Sequence, residues 1–238
     1  RDWSSDVCSS DLWQGKIVLA AVFVLALYTM RGVSGTAAQI LKHWKLALFA
    51  IVMMTAFNFF SHGTQDIYPT FLQVQHGLSP GVVGAIAVTY NIGAIMGGIF
   101  FGALSERIGR RRSIIITSLM ALPLVPFWVL GETPVTLAIG AFLMQIAVQG
   151  TWGVVPAYLN EISPPSMRAT FPGFTYQLGN LFASSNAVLQ TTLAVENGND
   201  FRIALASVVA ITAIVIAVLM AFGVERKSVP LGFADLPE

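Results

Sequence analysis

The chain has 238 residues and a formal net charge of +1; 55% of its residues are hydrophobic and only 11% are charged. Soluble domains carry about a quarter charged residues, so this composition argues against a soluble protein and predicts an all-α integral membrane protein. One cysteine excludes a disulfide framework within the chain, three scattered histidines do not form a typical zinc site, and no basic tract indicates a nucleic-acid partner. We therefore expect neither a metal nor a cofactor.

The first residues require separate treatment. Residues 1–12 resemble one reading frame of a sequencing adapter, so we exclude them from the fold. Residues 13–41 contain a short apolar run, 17–30, which is too short to cross a hydrocarbon core of about 30 Å. It is either the remnant of a truncated helix or a linker segment. We expect the chain to be a fragment, with a membrane unit at residues 42–223 and a cytoplasmic tail at 224–238.

Six apolar runs are long enough to span a bilayer, which takes about 20 residues. They cover residues 46–70, 82–104, 113–131, 134–157, 170–193 and 202–223. Near these spans, nine lysines and arginines collect on one side, and the other side has Arg202 alone. By the positive-inside rule the basic side is cytoplasmic, so both ends of the six-helix unit lie in the cytoplasm. The sequence predicts a multi-pass protein surrounded by the lipid of the plasma (inner) membrane.

The first span carries a polar, ionisable stripe. At about 100° per residue, Asn58, Ser61, His62, Gln65 and Asp66 share one face of a helix. An aspartate at the bilayer centre costs about 2.5 to 3.5 kcal/mol on insertion scales, so such a stripe persists where it faces a water-filled path or polar partners. The pattern therefore indicates passage of a solute or a proton.

The stripe contains groups that can couple the passage of a solute to that of a proton. His62 has an ordinary pKa near 6.5 and Asp66 lies one turn further on, so the pair can take and release a proton. Protonated His62 would favour a nearby carboxylate, and neutral His62 would favour its release. Asn58, Ser61 and Gln65 add neutral groups that can orient a carboxylate or hydroxyl. The alternative is that these side chains satisfy one another and only hold helices together.

Polar residues on later spans are candidates for lining the same cavity. They are Asn91 on the second span, Gln145 and Gln149 on the fourth, and Gln177 and Asn180 on the fifth. Gln145, Gln149 and Trp152 share a helix face at i, i+4 and i+7, and Gln177 and Asn180 share one at i and i+3. Hydrogen bonding between helices is the alternative role for each.

Two loops on the basic side carry further patterns. Residues 102–112 read GALSERIGRRR, in which Gly109 permits a tight reversal and the arginines can pair with the acid or with backbone carbonyls. This loop resembles the one that follows the second and eighth helices in the major facilitator superfamily. Residues 161–168, EISPPSMR, resemble the loop after the fourth or tenth helix of its sugar-porter-like members. The resemblance implies a cytoplasmic gate formed by Gly102, Glu106, Arg107, Gly109, Arg110, Arg111, Glu161 and Arg168. A plain positive-inside anchor is the alternative.

The positions of these two loops among the six spans match the loops that follow the eighth and tenth helices of the superfamily, so the six spans correspond to its helices seven to twelve. The resemblance thus implies the C-terminal six-helix bundle of a twelve-helix major facilitator transporter, with the N-terminal six-helix half as its missing partner. Residues 58–70 also resemble the signature N-x-x-[ST]-H-x-[ST]-Q-D-x-x-x-T of Jen-type permeases, which are monocarboxylate:proton symporters of lactate, pyruvate or related acids. The resemblance implies proton-coupled symport of a small organic anion, with Asn58, Ser61, His62, Gln65 and Asp66 binding substrate. A symporter of sialate, sugar or an aromatic acid is the alternative.

An enzyme is not expected. The chain has no H-E-x-x-H and no glycine-rich phosphate loop with its lysine. Because symport needs two six-helix bundles that rock about a site between them, this half alone is expected neither to transport nor to bind substrate tightly.

Overall fold

The computed structural model describes residues 40–223. The predictions for the adapter-like residues 1–12, the apolar run 17–30 and the tail 224–238 lie outside the described residues. The described part from Leu48 onward belongs to one compact unit, and every contact discussed below lies within it.

Nine α-helices occur between residues 44 and 223, and no strand occurs among the described residues. The helices are α1 (Trp44–Gln65), α2 (Tyr68–Val74), α3 (Pro80–Ile108), α4 (Arg110–Val129), α5 (Pro134–Trp152), α6 (Val155–Ile162), α7 (Phe171–Ala183), α8 (Asn186–Glu196) and α9 (Phe201–Phe222). A short 3₁₀ turn, Pro165–Met167, follows α6. The all-α prediction is therefore confirmed for this part of the chain.

Local breaks divide three of the predicted spans into two helices each. α1 ends at Gln65, four residues before Pro69, and α5 ends at Trp152, four residues before Pro156. Because proline has no N–H, the carbonyl four residues earlier loses its helical partner, and the helix stops there. α7 and α8 are separated at Ser184–Ser185 without a proline. The first break begins at Asp66, four residues after His62, so the polar stripe occupies the end of a helix.

Five segments are long and apolar enough to cross a membrane, judged by length and composition within the described residues. They are Trp44–Val74, Pro80–Ile108, Arg110–Val129, Pro134–Ile162 and Phe201–Phe222. Five of the six predicted spans coincide with these segments. The remaining one, 170–193, forms α7 and α8, and the second of these carries the buried polar residues Asn186 and Gln190.

The helices pack closely where glycines face a neighbouring backbone. α3 lies against α5, and α4 packs between α5 and α9. A Cβ added to Gly97 of α3 would overlap the carbonyl oxygen of Ile146 on α5, and one added to Gly153 would overlap the carbonyl oxygen of Gly98. Small residues at such positions allow helices in a membrane to gain van der Waals contact along their backbones.

An aromatic cluster fixes the start of α2, immediately after the stripe. Tyr68 is fully buried, and its ring stacks on Trp128 at 5.1 Å between centroids. Its hydroxyl donates to the carbonyl of Leu137 at 3.2 Å, so the buried polar atom is satisfied. This cluster ties α2 to α4 and α5 and thereby sets where the α1 break lies.

Candidate functional site

His62 and Asp66 form an ion pair where α1 ends. The distance between His62 Nδ1 and Asp66 Oδ1 is 3.2 Å, and the side chains are 46% and 39% exposed. The spacing of four residues places one side chain a turn above the other, which is why they meet. The pair is thus open on one side while it lies within a membrane-length segment.

Neutral side chains of α5 lie against the same turn of α1. Gln145 Nε2 donates to Thr64 Oγ1 at 3.3 Å and Gln149 Nε2 donates to Ser61 Oγ at 3.4 Å. Gln65 Nε2 lies 3.5 Å from Gln145 Oε1 and 3.2 Å from Ser61 Oγ. We name the residues Ser61, His62, Gln65, Asp66, Gln145 and Gln149 the His62 centre. The two predicted glutamines of the fourth span are therefore brought to the predicted stripe.

A contact from α8 to the backbone of the same turn of α1 was missed from the sequence. Gln190 is buried, and its Nε2 donates to the carbonyl oxygen of Gly63 at 2.8 Å. Asn186 supports it through a bond of 3.4 Å from Nδ2 to Gln190 Oε1. The sequence contained a signal, because Asn186 and Gln190 are two amides spaced i, i+4 in an apolar segment. This contact ties α8 to the same turn of α1 that the glutamines of α5 contact.

Four buried polar atoms near the His62 centre have no hydrogen-bond partner among the described residues. They belong to Asn58 (Nδ2), Trp152 (Nε1), Asn180 (Oδ1) and Asn186 (Oδ1). Asn58 is only 1% exposed. Since a buried polar atom without a partner is costly, such atoms mark places where a ligand or another polar group completes the bonding.

Two predicted cavity residues are not joined to the centre. Asn91 is exposed on α3 and its Nδ2 donates to the carbonyl of Ala87 in its own helix, at 2.8 Å. Gln177 is exposed on α7, and within residues 40–223 neither side chain bonds to His62 or Asp66. Their role stays a prediction. The described residues contain no group of three or more His, Cys, Asp or Glu side chains that would hold a metal ion.

Three of the predicted gate residues, Arg110, Arg111 and Glu161, make side-chain contacts toward the opposite end of α1 from His62. Arg110 Nε donates to Glu161 Oε1 at 3.0 Å, and its Nη1 donates to Ser105 Oγ at 2.5 Å. Arg111 donates to the carbonyls of Met220 and Ala221 at the end of α9, at 2.6 Å each. We name Ser105, Arg110, Arg111 and Glu161 the arginine end. It connects α3, α4, α6 and α9.

Glycine shapes this end. Gly109 separates α3 from α4 and has a φ of +97°, a conformation that other residues rarely adopt. A Cβ on Gly102 would lie 3.2 Å from the carbonyl oxygen of Gly153. These two positions let the arginines turn back onto α6 and α9.

Other predicted gate residues do not join the network. Glu106 and Arg107 are exposed and make no ion pair among the described residues. Arg168 has a buried Nε without a partner there, and Glu161 pairs with Arg110, which lies 51 residues away. The gate function of all these residues remains a prediction.

Comparisons with known proteins agree with this architecture. The Carboxylic acid transporter protein homolog of Saccharomyces cerevisiae is 38% identical over 154 residues, which are 64% of this chain and 25% of the yeast protein. The Sialic acid transporter NanX of Escherichia coli is 25% identical over 195 residues, which are 79% of this chain and 47% of NanX. This chain therefore spans about a quarter and about half of the lengths of these two relatives.

A solved structure shares the fold. The proton:xylose symporter XylE, solved with 6-bromo-6-deoxy-D-glucose, matches with a TM-score of 0.61 at 19% identity, over 76% of this chain and 45% of that chain. Residues 47–237 match the model of the Major Facilitator Superfamily. Together with the five membrane-length segments among the described residues, the match over most of the sequence shows that this chain is a multi-pass membrane protein and belongs to the major facilitator superfamily.

Proposed function

We propose that this chain is the C-terminal half of a proton-coupled symporter for a small monocarboxylate such as lactate or pyruvate. The observation that carries the proposal is the His62–Asp66 pair, 3.2 Å apart and half exposed beside neutral amides. The yeast relative, whose name is that of a carboxylic acid transporter, supports the carboxylate class. We place the transporter in the plasma (inner) membrane with the arginine end in the cytoplasm.

The proposed coupling follows from the chemistry of imidazole. In the protonated ring both nitrogens carry hydrogen, so His62 keeps Asp66 through Nδ1 and offers the Nε2–H to the substrate carboxylate. When that proton leaves, Nε2 becomes an acceptor and no longer bonds a carboxylate. The substrate anion therefore binds more tightly to the protonated transporter, which is the differential affinity that symport requires.

The amides around the pair complete this scheme. Ser61, Gln65, Gln145 and Gln149 carry no charge, so they can reorient without a change in the charge of the path. The arginine end would hold the cytoplasmic side of the bundle while the central contacts change. Both six-helix halves are needed for this cycle, because a site of this kind lies between them.

The test uses the complete transporter that carries this chain, reconstituted in proteoliposomes. An inward pH gradient should drive accumulation of radiolabelled lactate or pyruvate. His62→Ala and Asp66→Asn should each abolish accumulation, with insertion and folding retained. Thr191→Val is the matched control, since the hydroxyl of Thr191 bonds only the carbonyl of Ala187 in its own helix. Unchanged accumulation in both stripe variants would reduce the pair to a packing contact.

The substrate class is tested by competition in the same vesicles. Unlabelled lactate and pyruvate should inhibit uptake, whereas sialate, glucose and an aromatic acid should not. Inhibition by a bulky acid or a sugar alone would favour the alternative symporter. Residues 13–238 reconstituted without the N-terminal half should show no uptake.

A further inference from the structure

A groove of about 550 Å³ opens between the end of α4 and the start of α5. Its walls are mostly apolar and include Phe127, Leu130, Ile139 and Leu143. Gly140 also lines it, and a Cβ added there would overlap the carbonyl oxygen of Phe127. The two helices thus meet backbone to backbone, and the longer side chains line the groove beside that contact.

The groove faces away from the His62 centre. At about 100° per residue, Ile139 and Leu143 lie roughly 120° and 160° around α5 from Gln145, which contacts α1. The side chains that line the groove are open on their outer side, since Phe127, Leu130 and Ile139 are 68%, 59% and 54% exposed. The groove therefore belongs to the apolar outer wall of the bundle, which lipid surrounds.

The mouth of the groove lies at the headgroup layer opposite to the arginine end. α4 begins at Arg110 and has 20 residues, which rise about 30 Å at about 1.5 Å each. The hydrocarbon core of a bilayer is also about 30 Å thick. Leu130, which follows α4, and Glu132 in the next loop therefore lie where hydrocarbon gives way to polar headgroups.

Glu132 is the charged residue that lines this mouth. It is exposed and makes no ion pair among the described residues. At the same end of the bundle, where α8 ends and α9 begins, Arg202 is already held by Asp200 through a bidentate contact. The groove thus offers a carboxylate without a protein cation, and this charge attracts a cationic headgroup and repels an anionic one.

We propose that the groove binds a phospholipid with a primary-amine headgroup, whose ammonium pairs with Glu132 while one acyl chain lies between α4 and α5. An acyl chain leaves one apolar environment for another, so it gains packing and little hydrophobic free energy. Selectivity therefore comes from the headgroup. A primary ammonium has three hydrogens that a carboxylate can accept, whereas a trimethylated ammonium has none and a glycerol headgroup has no positive charge.

The headgroup contact is tested by native mass spectrometry of the complete transporter in detergent. Dioleoyl phosphatidylethanolamine, phosphatidylcholine and phosphatidylglycerol are added in separate titrations, and the affinity for the first lipid bound is compared. The unmodified protein should bind the ethanolamine lipid roughly 2- to 5-fold more tightly than the choline lipid, as an exposed ion pair predicts. Glu132→Gln keeps the size of the side chain and removes its charge, so this preference should disappear. Glu196→Gln is the matched control and should keep the preference, because Glu196 is an exposed acid at the end of α8 that does not line the groove.

The acyl-chain contact is tested with Ile139→Trp, which places a larger side chain in the groove. Binding of the first ethanolamine lipid and of the first choline lipid should both be lost, because the chain position is filled whatever the headgroup is. Ile211→Trp is the matched control, since Ile211 is exposed on α9 and does not line the groove. The Tm of each variant without added lipid identifies any folding defect.

The outcomes do not depend on which substrate is transported. Loss of the ethanolamine preference in Glu132→Gln, with Glu196→Gln unaffected, supports the site. A preference that survives Glu132→Gln, or tighter binding of the glycerol lipid, would overturn the headgroup assignment. Unchanged lipid binding in Ile139→Trp would overturn the groove as the site. A dimer in the same spectra that Ile139→Trp dissociates would assign the groove to a second copy of the chain instead.

Discussion

The His62 centre and the arginine end are both polar clusters in an apolar chain, but they are built differently. At the arginine end the side-chain contacts are 2.5 to 3.0 Å long and involve guanidinium groups that stay charged at any physiological pH. In the His62 centre the contacts are 3.2 to 3.5 Å long and join a titratable pair to neutral amides.

The difference indicates which cluster holds the bundle and which one can change partners. Short charge-assisted bonds are about twice as strong as neutral ones, so the arginine end is suited to fix four helices. Longer neutral contacts are exchanged at small cost, as a transport cycle requires. Three variants test this contrast, from the largest expected effect to the smallest, and a smaller pH effect outside both clusters follows.

Arg110→Ala should have the largest effect. It removes the bonds to Glu161 and Ser105 and leaves a carboxylate that is only 23% exposed without its partner, at a cost of about 1 to 3 kcal/mol. Thermal unfolding in detergent should show a clearly lower Tm. Arg110→Lys should recover part of the loss, since one ammonium cannot form the same fork. Wild-type stability in Arg110→Ala would mean that the arginine end does not hold the bundle.

Gln190→Leu should come next, because Gln190 makes a short contact of 2.8 Å to the carbonyl of Gly63, next to His62. Its loss leaves the carbonyl of Gly63 and the amide of Asn186 unsatisfied, which costs about 1 to 3 kcal/mol. The change is read as a lower denaturation midpoint. The neighbouring Thr191→Val should be neutral. Equal stability of the two variants would remove α8 from the support of the centre.

Gln149→Leu should have a smaller effect on stability than either. It removes one neutral contact of 3.4 Å to Ser61, for which about 0.5 to 1.5 kcal/mol is expected. Uptake kinetics should change more than the Tm does. A double-mutant cycle with Ser61→Ala measures the coupling. A loss of stability as large as that of Arg110→Ala would break the contrast between the two clusters.

The smallest expected effect is the pH dependence of stability that comes from His76, in the loop between α2 and α3. Burial, and to a lesser degree the charge of Arg202, lower the pKa of His76. Neutral His76 therefore favours the folded state fully above its ordinary pKa near 6.5, and this contribution is lost as pH falls below that value. His76→Phe, which keeps a ring against Phe71, should flatten the stability profile between about pH 7 and 5.

The carboxyl of Asp200 should affect stability in a second, more acidic pH range. Arg202 holds the pKa of Asp200 well below its usual range through a bidentate contact, with Gln75 also donating to it. The resulting stabilisation is complete above about pH 4 and disappears below it. Asp200→Asn should therefore alter only the acidic limb. If Asp200→Asn changed the stability between pH 7 and 5, the assignment of that pH range to His76 would be wrong.

The sequence predicted the elements of the fold and the facing residues of the His62 centre. Periodicity placed His62 and Asp66 one turn apart, and the i, i+4 spacing of Gln145 and Gln149 placed both on one face. These relations are local, so the helical repeat alone determines them. The break after Gln65 was also accessible, because Pro69 removes a backbone donor.

The partners across helices were not predictable in the same way. The loop pattern suggested that Arg110 pairs near Glu106, whereas the structure pairs it with Glu161, 51 residues away. Gln190 likewise reaches Gly63 across 127 residues. Such contacts depend on how helices cross, and crossing is set by the close approach at positions such as Gly97 and Ile146. A single sequence does not show at which angles and positions its helices cross.

The most direct test of the central claim is proton uptake when substrate binds. The complete transporter in weakly buffered detergent solution is mixed with lactate near pH 7, and a pH-sensitive dye records the protons taken up per substrate bound. We predict uptake by the wild type, and its loss in His62→Gln at substrate concentrations that still saturate binding. Equal proton uptake by the His62→Gln variant would contradict the assignment of the carrier.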